Sequence, residues 1–306
     1  MLTLRSMLLV PILACFGCSS SHEFAQDPPS LPHHETAEPS GTSSPAPKGL
    51  RGVDTASLSG REKQAWWRLV AQLYSPCPDQ AVSLAQCVDE ARACNACTPM
   101  AQFLADRIHK GQTSVDAEAA AALRFGPDVK TIDLAGSPSR GPATAPLTIV
   151  VWLDFQCPAC RHTEPVIEEF RQKHPNDVRL VHKIYVLPKH ATFGGPAAKA
   201  AIAAHRQGKF WEMERVLFDN QKEIEEGTVT VEQCVKKVGL DMKRYAVDVD
   251  SKETTEYLEH DMKQADEAGL RATPLVFLNG RHFDQDYFRF DELEEWLKLE
   301  LALQKK

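Results

Sequence analysis

The chain has 306 residues, of which 43% are hydrophobic, 25% are charged and 8% are aromatic, and its formal net charge is −7. This length is sufficient for one or two folded domains with a sizeable core. The negative charge and the lack of a lysine- or arginine-rich run in the sequence argue against a nucleic-acid-binding protein. Nine cysteines are many for a cytosolic protein and indicate export to an oxidising compartment.

The N-terminus has the features of an export signal. A positive charge precedes Met7–Leu13, an apolar stretch that is too short to span a bilayer. The residues Ile12–Cys15 resemble the signal of bacterial lipoproteins, in which the cysteine at the cleavage site becomes lipidated. This resemblance implies a signal segment at 1–17, lipidation of Cys15 or of Cys18, and a periplasmic protein anchored to a membrane by lipid. An ordinary cleaved secretory signal is the alternative.

The segment that follows, residues 18–58, is rich in proline, serine, threonine and glycine and contains few large apolar residues. Such a segment cannot bury enough apolar surface to offset the conformational entropy lost on folding. We therefore predict a disordered tether, which in a lipoprotein would hold the folded part away from the membrane.

Residues 59–128 are predicted to form a small helical bundle with four cysteines. So small a bundle has a limited core, and disulfides would stabilise it in an oxidising compartment. Four cysteines allow three pairings, and the sequence does not select among them. Two of them, Cys87 and Cys94, are expected on one face of the second helix. Helical spacing of apolar residues covers Arg61–Tyr74, Gln80–Cys94, Thr98–Lys110 and Val115–Arg124, and the cysteines are Cys77, Cys87, Cys94 and Cys97.

One pair of these cysteines carries a second interpretation. The run Cys94-Asn95-Ala96-Cys97, followed by a helix, resembles the CcmH-type thiol reductase domain of cytochrome c maturation, which has a C-x-x-C on a three-helix bundle. The resemblance implies that Cys94 and Cys97 form a second redox pair that relays electrons to or from another dithiol. Structural disulfides and a zinc site remain the alternatives.

The most informative stretch is Leu147–Arg161, which reads LTIVVWLDFQCPACR. Its consecutive apolar residues predict a strand buried on both faces, as in a parallel sheet. Pro158–Lys173 is predicted to form a helix, because proline suits the first turn and an apolar stripe follows. Cys157 would then lie at a helix N-terminus, at the end of a central strand.

This position indicates redox chemistry. The helix dipole and the free N–H groups of the first turn favour a thiolate at Cys157, and Cys160 is close enough in sequence to close a small disulfide ring. The pattern therefore predicts a dithiol that exchanges disulfides. A structural disulfide or half of a zinc site is the alternative, although this part of the chain has no second ligand pair with similar spacing.

The other elements of residues 130–306 predict an α/β domain. A strand, a helix and a second strand at Val178–Val186 form a right-handed βαβ unit. Residues 190–268 are expected to be mostly helical. The remaining predictions are an edge strand at Ile132–Leu134, helices at Pro196–Arg206, Phe210–Asn220, Val231–Val238 and Glu253–Ala268, a last strand at Leu275–Leu278 with a hairpin turn at Asn279-Gly280, and a terminal helix at Phe290–Leu303.

Four motifs of this domain follow one another along the chain: Asp154–Cys160, Gly208–Trp211, Gly269–Pro274 and Phe277–Gly280. Together they resemble the DsbA-like thiol-disulfide oxidoreductases. The resemblance implies a thioredoxin fold with a helical domain inserted at about 190–268. It also implies a cis peptide bond before Pro274, which would expose the backbone of Thr273 for pairing with an extended client segment.

The same resemblance implies the activity. Cys157 would form a mixed disulfide with a client protein, Cys160 would resolve it, and no metal or organic cofactor would be needed. Pro158, Ala159, Thr273 and Pro274 would support the site. The expected partners are clients with thiols or disulfides and a redox partner that recycles the dithiol. Oxidation of clients is expected; reduction or isomerisation, and a non-catalytic peptide-binding chaperone, are the alternatives.

Two departures from DsbA leave the reduction potential open. The residues between the cysteines are Pro158 and Ala159, without the histidine of DsbA, and Val151 stands where DsbA carries a buried glutamate. The nearest acidic residue in the sequence is Asp154. Dithiol proteins of this fold have potentials from roughly −270 to −120 mV.

Overall fold

Residues 49–283 and 289–304 are described by a computed structural model of the chain. The signal segment, Cys15, Cys18 and the tether as far as residue 48 lie outside the described residues, so the predictions made for them remain predictions. Within the described part, no helix is both long enough and apolar enough to cross a membrane.

Four helices form the predicted bundle: α1 (Gly60–Gln72), α2 (Leu84–Asp89), α3 (Cys97–His109) and α4 (Ser114–Phe125). Capping boxes begin α1 and α4, because the hydroxyls of Ser59 and Thr113 accept hydrogen bonds from N–H groups of the first turn. Trp66 is buried in the core, and its indole N–H donates to the carbonyl of Ala101. The helical bundle is thus confirmed.

Two details of the bundle correct the predictions. The second helix, expected over Gln80–Cys94, ends at Asp89, so Cys94 lies beyond it and does not share a helix face with Cys87. Disulfides close this region, and Ala91 has a positive φ of 49°, which a continuing helix would not allow. The tether boundary at residue 58 is also too late, because Leu50 and Leu58 are buried in the bundle core.

The part of the chain after the bundle is built on a sheet that has five strands among the described residues. The strands are β1 (Ser139–Arg140), β2 (Leu147–Leu153), β3 (Val178–Ile184), β4 (Leu275–Leu278) and β5 (Arg281–His282). Their order in the sheet is β1-β3-β2-β4-β5. The central strand β2 pairs in parallel with β3 and antiparallel with β4, and β1 and β5 are antiparallel edges. The predicted edge strand at Ile132–Leu134 is wrong: those residues form a loop, and the edge is the two-residue β1 that follows it.

Helices cover both faces of the sheet, and a helical insertion lies between β3 and β4. After α5 (Pro158–Lys173), which connects β2 to β3, come six α-helices and then, beyond β5, the terminal helix α12 (Phe290–Gln304). The predicted fold class is therefore confirmed. The inserted helices are α6 (Ala191–Arg206), α7 (Phe210–Asp219), α8 (Gln221–Glu225), α9 (Val231–Val238), α10 (Met242–Asp248) and α11 (Lys252–Glu267).

The bundle packs against α12 through charged pairs. Arg107 lies 3.3 Å from Glu292, and Arg124 lies 2.7 Å from Glu300; both guanidinium groups are buried. The bundle also contacts the hairpin between β4 and β5, where the guanidinium of Arg281 donates to the carbonyl of Gly126 at the end of α4. A few residues further along the chain, the backbone N–H of Lys130 donates to the carbonyl of Gly280 at 2.7 Å. A β-carbon at residue 280 would lie only 2.4 Å from the backbone carbonyl oxygen of Lys130, so the close approach of these two backbones requires glycine at this position.

These contacts place the bundle at one end of the sheet. The neighbouring hairpin residue Asn279 accepts a hydrogen bond from the N–H of Thr148, at the beginning of β2. The dithiol follows the other end of β2, after Leu153. Seven residues of strand separate the two ends by roughly 20 Å. The bundle therefore lies far from the dithiol.

Candidate active site

The site begins where β2 ends. Residues 154–156 form a turn, and Cys157 is the N-cap residue of α5, with φ −80° and ψ 118°. The N–H of Cys157 donates to the carbonyl of Asp154 at 2.9 Å, which closes the turn. Pro158 occupies the first position of the helix, where its missing N–H costs no hydrogen bond. The predicted strand-to-helix junction is thus present.

The loop before β4 faces this junction. The peptide bond between Thr273 and Pro274 is cis, as the resemblance implied. Sγ of Cys157 lies 3.2 Å from the backbone carbonyl of Thr273, to which the protonated form of the thiol donates. The structure therefore brings Cys157, Thr273 and Pro274 together although 116 residues separate the two hydrogen-bonded partners.

The environment of Cys157 favours its ionised form. A hydrogen bond from the Cys160 thiol, the Thr273 hydroxyl and the N–H groups of Ala159 and Cys160 lower the pKa of Cys157 to about 5, against the opposing effect of burial. A thiolate at this position can attack a disulfide or leave from one. Cys157 is 7% exposed and Cys160 only 2% exposed, so Cys157 is the more accessible sulfur.

The surroundings of Cys160, in contrast, favour its protonated form. Burial, and then the neighbouring Cys157 sulfur, raise the pKa of Cys160 well above the ordinary value of a thiol. Its sulfur accepts a hydrogen bond from the N–H of Asp154 at 3.4 Å. Both thiols are free in this structure. The pair thus consists of a reactive outer thiolate and a protonated inner thiol, which is the arrangement that dithiol exchange requires.

The supporting residues differ in their surroundings. Pro158 is exposed, whereas Ala159 is half-buried between the two cysteines. The Thr273 hydroxyl is buried and makes no well-aligned hydrogen bond within the described residues. Its proximity nevertheless favours ionisation of both cysteines. It is therefore available to a ligand that approaches the sulfurs.

His190 and Gln221 contact the active-site turn, and neither side chain was predicted to do so. The fully buried carboxylate of Asp154 accepts hydrogen bonds at 2.8 Å from the N–H groups of Gln156 and Leu187, and it lies 2.8 Å from Nδ1 of His190. The amide of Gln221 donates to two carbonyls of the same turn. His190 and Gln221 come from distant parts of the chain, and no local pattern in the sequence distinguishes them.

The structure also supplies a buried acid near Val151. This valine is in register with His182 on β3, and Nδ1 of His182 lies 2.6 Å from a carboxylate oxygen of Glu214. On α5, burial and then the charge of Glu214 raise the pKa of Glu164 to about 7. Glu164 and Glu214 line a cavity of about 490 Å³ between α5 and α7. Glu214 of the helical insertion is thus a buried acid that contacts His182, the β3 residue beside Val151.

The four bundle cysteines form two disulfides, Cys77–Cys94 and Cys87–Cys97. Cys94 and Cys97 are consequently not bonded to each other. Within residues 49–283 and 289–304, the one cluster with the geometry to hold a metal is formed by Cys87, Cys94 and Cys97, whose sulfurs lie within 4.8 Å of one another. Zinc binds thiolates, and all three sulfurs are engaged in disulfides here.

The low pKa of Cys157 predicts its reactivity. We expect alkylation of the reduced protein by iodoacetamide to follow a single titration with a midpoint at about pH 5. At pH 6 the thiolate is nearly fully populated, and allowing for the weaker nucleophilicity of a low-pKa thiol, the rate should be roughly 5- to 10-fold that of an ordinary exposed cysteine. A Cys157→Ser variant is the blank for the other thiols. A midpoint above pH 8 would contradict this account of the site.

Comparison with known proteins agrees with the fold. A family model described as "Thioredoxin" matches residues 134–298. The Na(+)/H(+) antiporter NhaA of Herminiimonas arsenicoxydans is 34% identical over 148 residues, which are 48% of this chain and 23% of that protein. The chain thus spans about a quarter of the length of this curated relative.

Solved structures with similar folds include two bacterial proteins. A thioredoxin-like oxidoreductase from Silicibacter pomeroyi DSS-3 has 24% identity and a TM-score of 0.46, with 54% of this chain and 91% of that chain covered. The thiol-disulfide exchange protein alpha-DsbA2 from Wolbachia pipientis has 15% identity and a TM-score of 0.47, with 54% and 87% covered. The family model covers more than half of the chain, including the dithiol, the helical insertion and β4, and the chain therefore belongs to the thioredoxin family.

Proposed function

We propose that this chain is an extracytoplasmic thiol-disulfide oxidoreductase that acts chiefly as a dithiol oxidase on client proteins. The observation that carries the proposal is the placement of Cys157 at the N-terminus of α5, beside the cis-proline loop, with Cys160 buried behind it. These surroundings lower the pKa of Cys157 to about 5 and raise that of Cys160. This arrangement separates the roles of the two sulfurs.

The proposed reaction begins with the Cys157–Cys160 disulfide. A client thiolate attacks Sγ of Cys157; the disulfide breaks, and Cys160 leaves and takes up a proton. A second client thiolate then attacks the client sulfur of the mixed disulfide and releases Cys157 as a thiolate. The client gains a disulfide and loses two electrons, which the dithiol holds until a redox partner reoxidises it.

The direction follows from the stability of the reduced form. Hydrogen bonds that stabilise the Cys157 thiolate lower the free energy of the reduced protein, and this makes its disulfide a stronger oxidant. A low thiol pKa also makes Cys157 a better leaving group when the client resolves the mixed disulfide. Reduction or isomerisation of clients is the second candidate, because the two residues between the cysteines are Pro158 and Ala159, without the histidine of DsbA.

The cis-proline loop supports binding of an extended client segment. Backbone of a loop that ends in a strand, as Thr273 and Pro274 do before β4, can pair with an added peptide strand. The Thr273 hydroxyl, buried and without a well-aligned partner among the described residues, adds a polar group to that surface.

The bundle is proposed to be a disulfide-stabilised spacer between the lipid anchor and the catalytic part. The described chain begins at Gly49, next to the buried Leu50 of the bundle, whereas the dithiol lies at the other end of the sheet. A tether attached there leaves the dithiol facing away from the membrane. The same separation of roughly 20 Å argues against direct electron transfer between the bundle cysteines and Cys157.

The experiment that tests the function uses a Cys160→Ala variant. Without the resolving thiol, the Cys157 thiolate should attack client disulfides in periplasmic extract, release the second client sulfur as a thiolate and accumulate as mixed disulfides. A Cys157→Ser, Cys160→Ala variant should trap none. The reduction potential of the wild-type pair then gives the direction: a value toward roughly −120 mV supports the oxidase and one near −270 mV the reductase. Protection of unfolded clients that survives in the double variant, with no trapped adducts, would identify a chaperone instead.

A further inference from the structure

A buried side chain of the helical insertion donates hydrogen bonds to the backbone of the active-site turn. Gln221, the first residue of α8, is 6% exposed. Its amide nitrogen donates to the carbonyl of Phe155 at 2.8 Å and to the carbonyl of Cys157 at 3.1 Å. Both hydrogens of the amide are therefore directed at the backbone on the two sides of Gln156.

The amide of Gln221 supplies a hydrogen bond that each of these carbonyls otherwise lacks or makes only weakly. The carbonyl of Cys157 is the N-cap acceptor of α5, and its hydrogen bond with the N–H of Arg161 is long, at 3.3 Å. Gln221 is the donor that the described residues supply to the carbonyl of Phe155. A buried carbonyl without a donor is unfavourable, because it loses its hydrogen bond to water and gains none in return. The amide thus stabilises this particular conformation of the turn.

The conformation of the turn determines how strongly the Cys157 thiolate is stabilised. Two of the groups that lower the pKa of Cys157 are the N–H groups of Ala159 and Cys160, and their direction relative to the sulfur depends on the peptide plane that carries the Cys157 carbonyl. Rotation of that plane would turn the first helical N–H groups away from Sγ and weaken the stabilisation of the anion.

We propose that Gln221 is a positioning residue for Cys157, which holds the active-site turn in the conformation that stabilises the thiolate and so connects the helical insertion to the reactivity of the dithiol. This inference rests on the proposed function, because it assigns the insertion a part in the same exchange reaction. The hydrogen bonds of Gln221 go to the backbone of the turn, and its effect on the sulfur is therefore exerted through that backbone.

The test compares the thiolate titration of reduced variants, followed by ultraviolet absorbance and by alkylation. Gln221→Met keeps the length of the side chain but removes both donors, and the midpoint for Cys157 should rise by about 0.5–1 pH unit. Gln221→Glu places an acceptor against two carbonyls and should raise it at least as much. The matched control is Asn220→Met, since the Asn220 amide donates to the carbonyl of Val216 in the preceding helix, at 2.7 Å, and should leave the midpoint unchanged.

The outcomes separate this inference from the proposed function. A low midpoint in wild type that persists in folded Gln221→Met overturns the positioning role and leaves the oxidoreductase proposal intact. An ordinary midpoint in wild type overturns the oxidoreductase proposal first. If neither Gln221 variant folds, heteronuclear NMR of wild type decides: slow solvent exchange of the Gln221 side-chain amide protons supports the proposal, and fast exchange overturns it.

Discussion

Replacement of Cys157 by serine is expected to reduce disulfide exchange with reduced client proteins by at least about a thousandfold, to the uncatalysed rate. A hydroxyl is not ionised at neutral pH and forms no disulfide, so neither attack on a client nor formation of a mixed disulfide remains. The rate of disulfide formation in a reduced unfolded client, with the oxidised protein supplied in stoichiometric amount, measures this effect.

The matched control for that variant is Cys234→Ala. Cys234 is a free cysteine on α9 and is 1% exposed, buried among apolar residues of the helical insertion. Its removal should leave exchange unchanged within about twofold, because a buried thiol of raised pKa takes no part in the reaction. If exchange survived in Cys157→Ser but fell in Cys234→Ala, the reactive cysteine would be Cys234 on α9, and the assignment to Cys157 would be wrong.

Removal of the Cys87–Cys97 disulfide by a double serine substitution should lower the stability of the bundle by about 2–3 kcal/mol. The bundle has a small core, and the cross-link restricts its unfolded chain. Exchange by the dithiol should be unaffected, because the bundle lies at the opposite end of β2. Thermal unfolding of the bundle and client oxidation, measured on the same samples, check both parts.

The second bundle disulfide provides the comparison. Loss of Cys77–Cys94 should have an effect of similar size on unfolding and again none on client oxidation. If either double substitution abolished turnover with a recycling reductant or oxidant while single-turnover exchange by Cys157 persisted, the bundle cysteines would be a relay, as the CcmH-type resemblance implied. Retained turnover in both variants would establish the structural role.

Much of the fold was predictable because its elements are locally patterned. The apolar run of β2, the proline at the start of α5 and the hairpin turn after β4 are each signals within a few residues, and the observed bounds of α5, α9 and β4 match the predictions. The position of Cys157 was predictable for the same reason, since a cysteine between a buried strand and a helix is a local feature.

The errors have a common physical cause. The end of α2 depends on where the chain must turn to form two disulfides, and β1 is a two-residue strand whose pairing with β3 depends on the position of the sheet edge. The pattern of apolar residues in the sequence indicates neither where the chain must turn to form the disulfides nor where the sheet ends. The pairing of four cysteines is likewise a matter of three-dimensional distance, which spacing in the sequence does not encode.

By itself, the sequence determined the junction that carries Cys157, the order of strands and helices around it, and the presence of four further cysteines in a separate bundle, because each depends on residues close together in the chain. Only the tertiary structure decided which cysteines pair, how far the bundle lies from the dithiol, and that Thr273, Gln221 and His190 surround the active-site turn. Those contacts join residues tens of positions apart, and they exist because packed helices and strands bring them together.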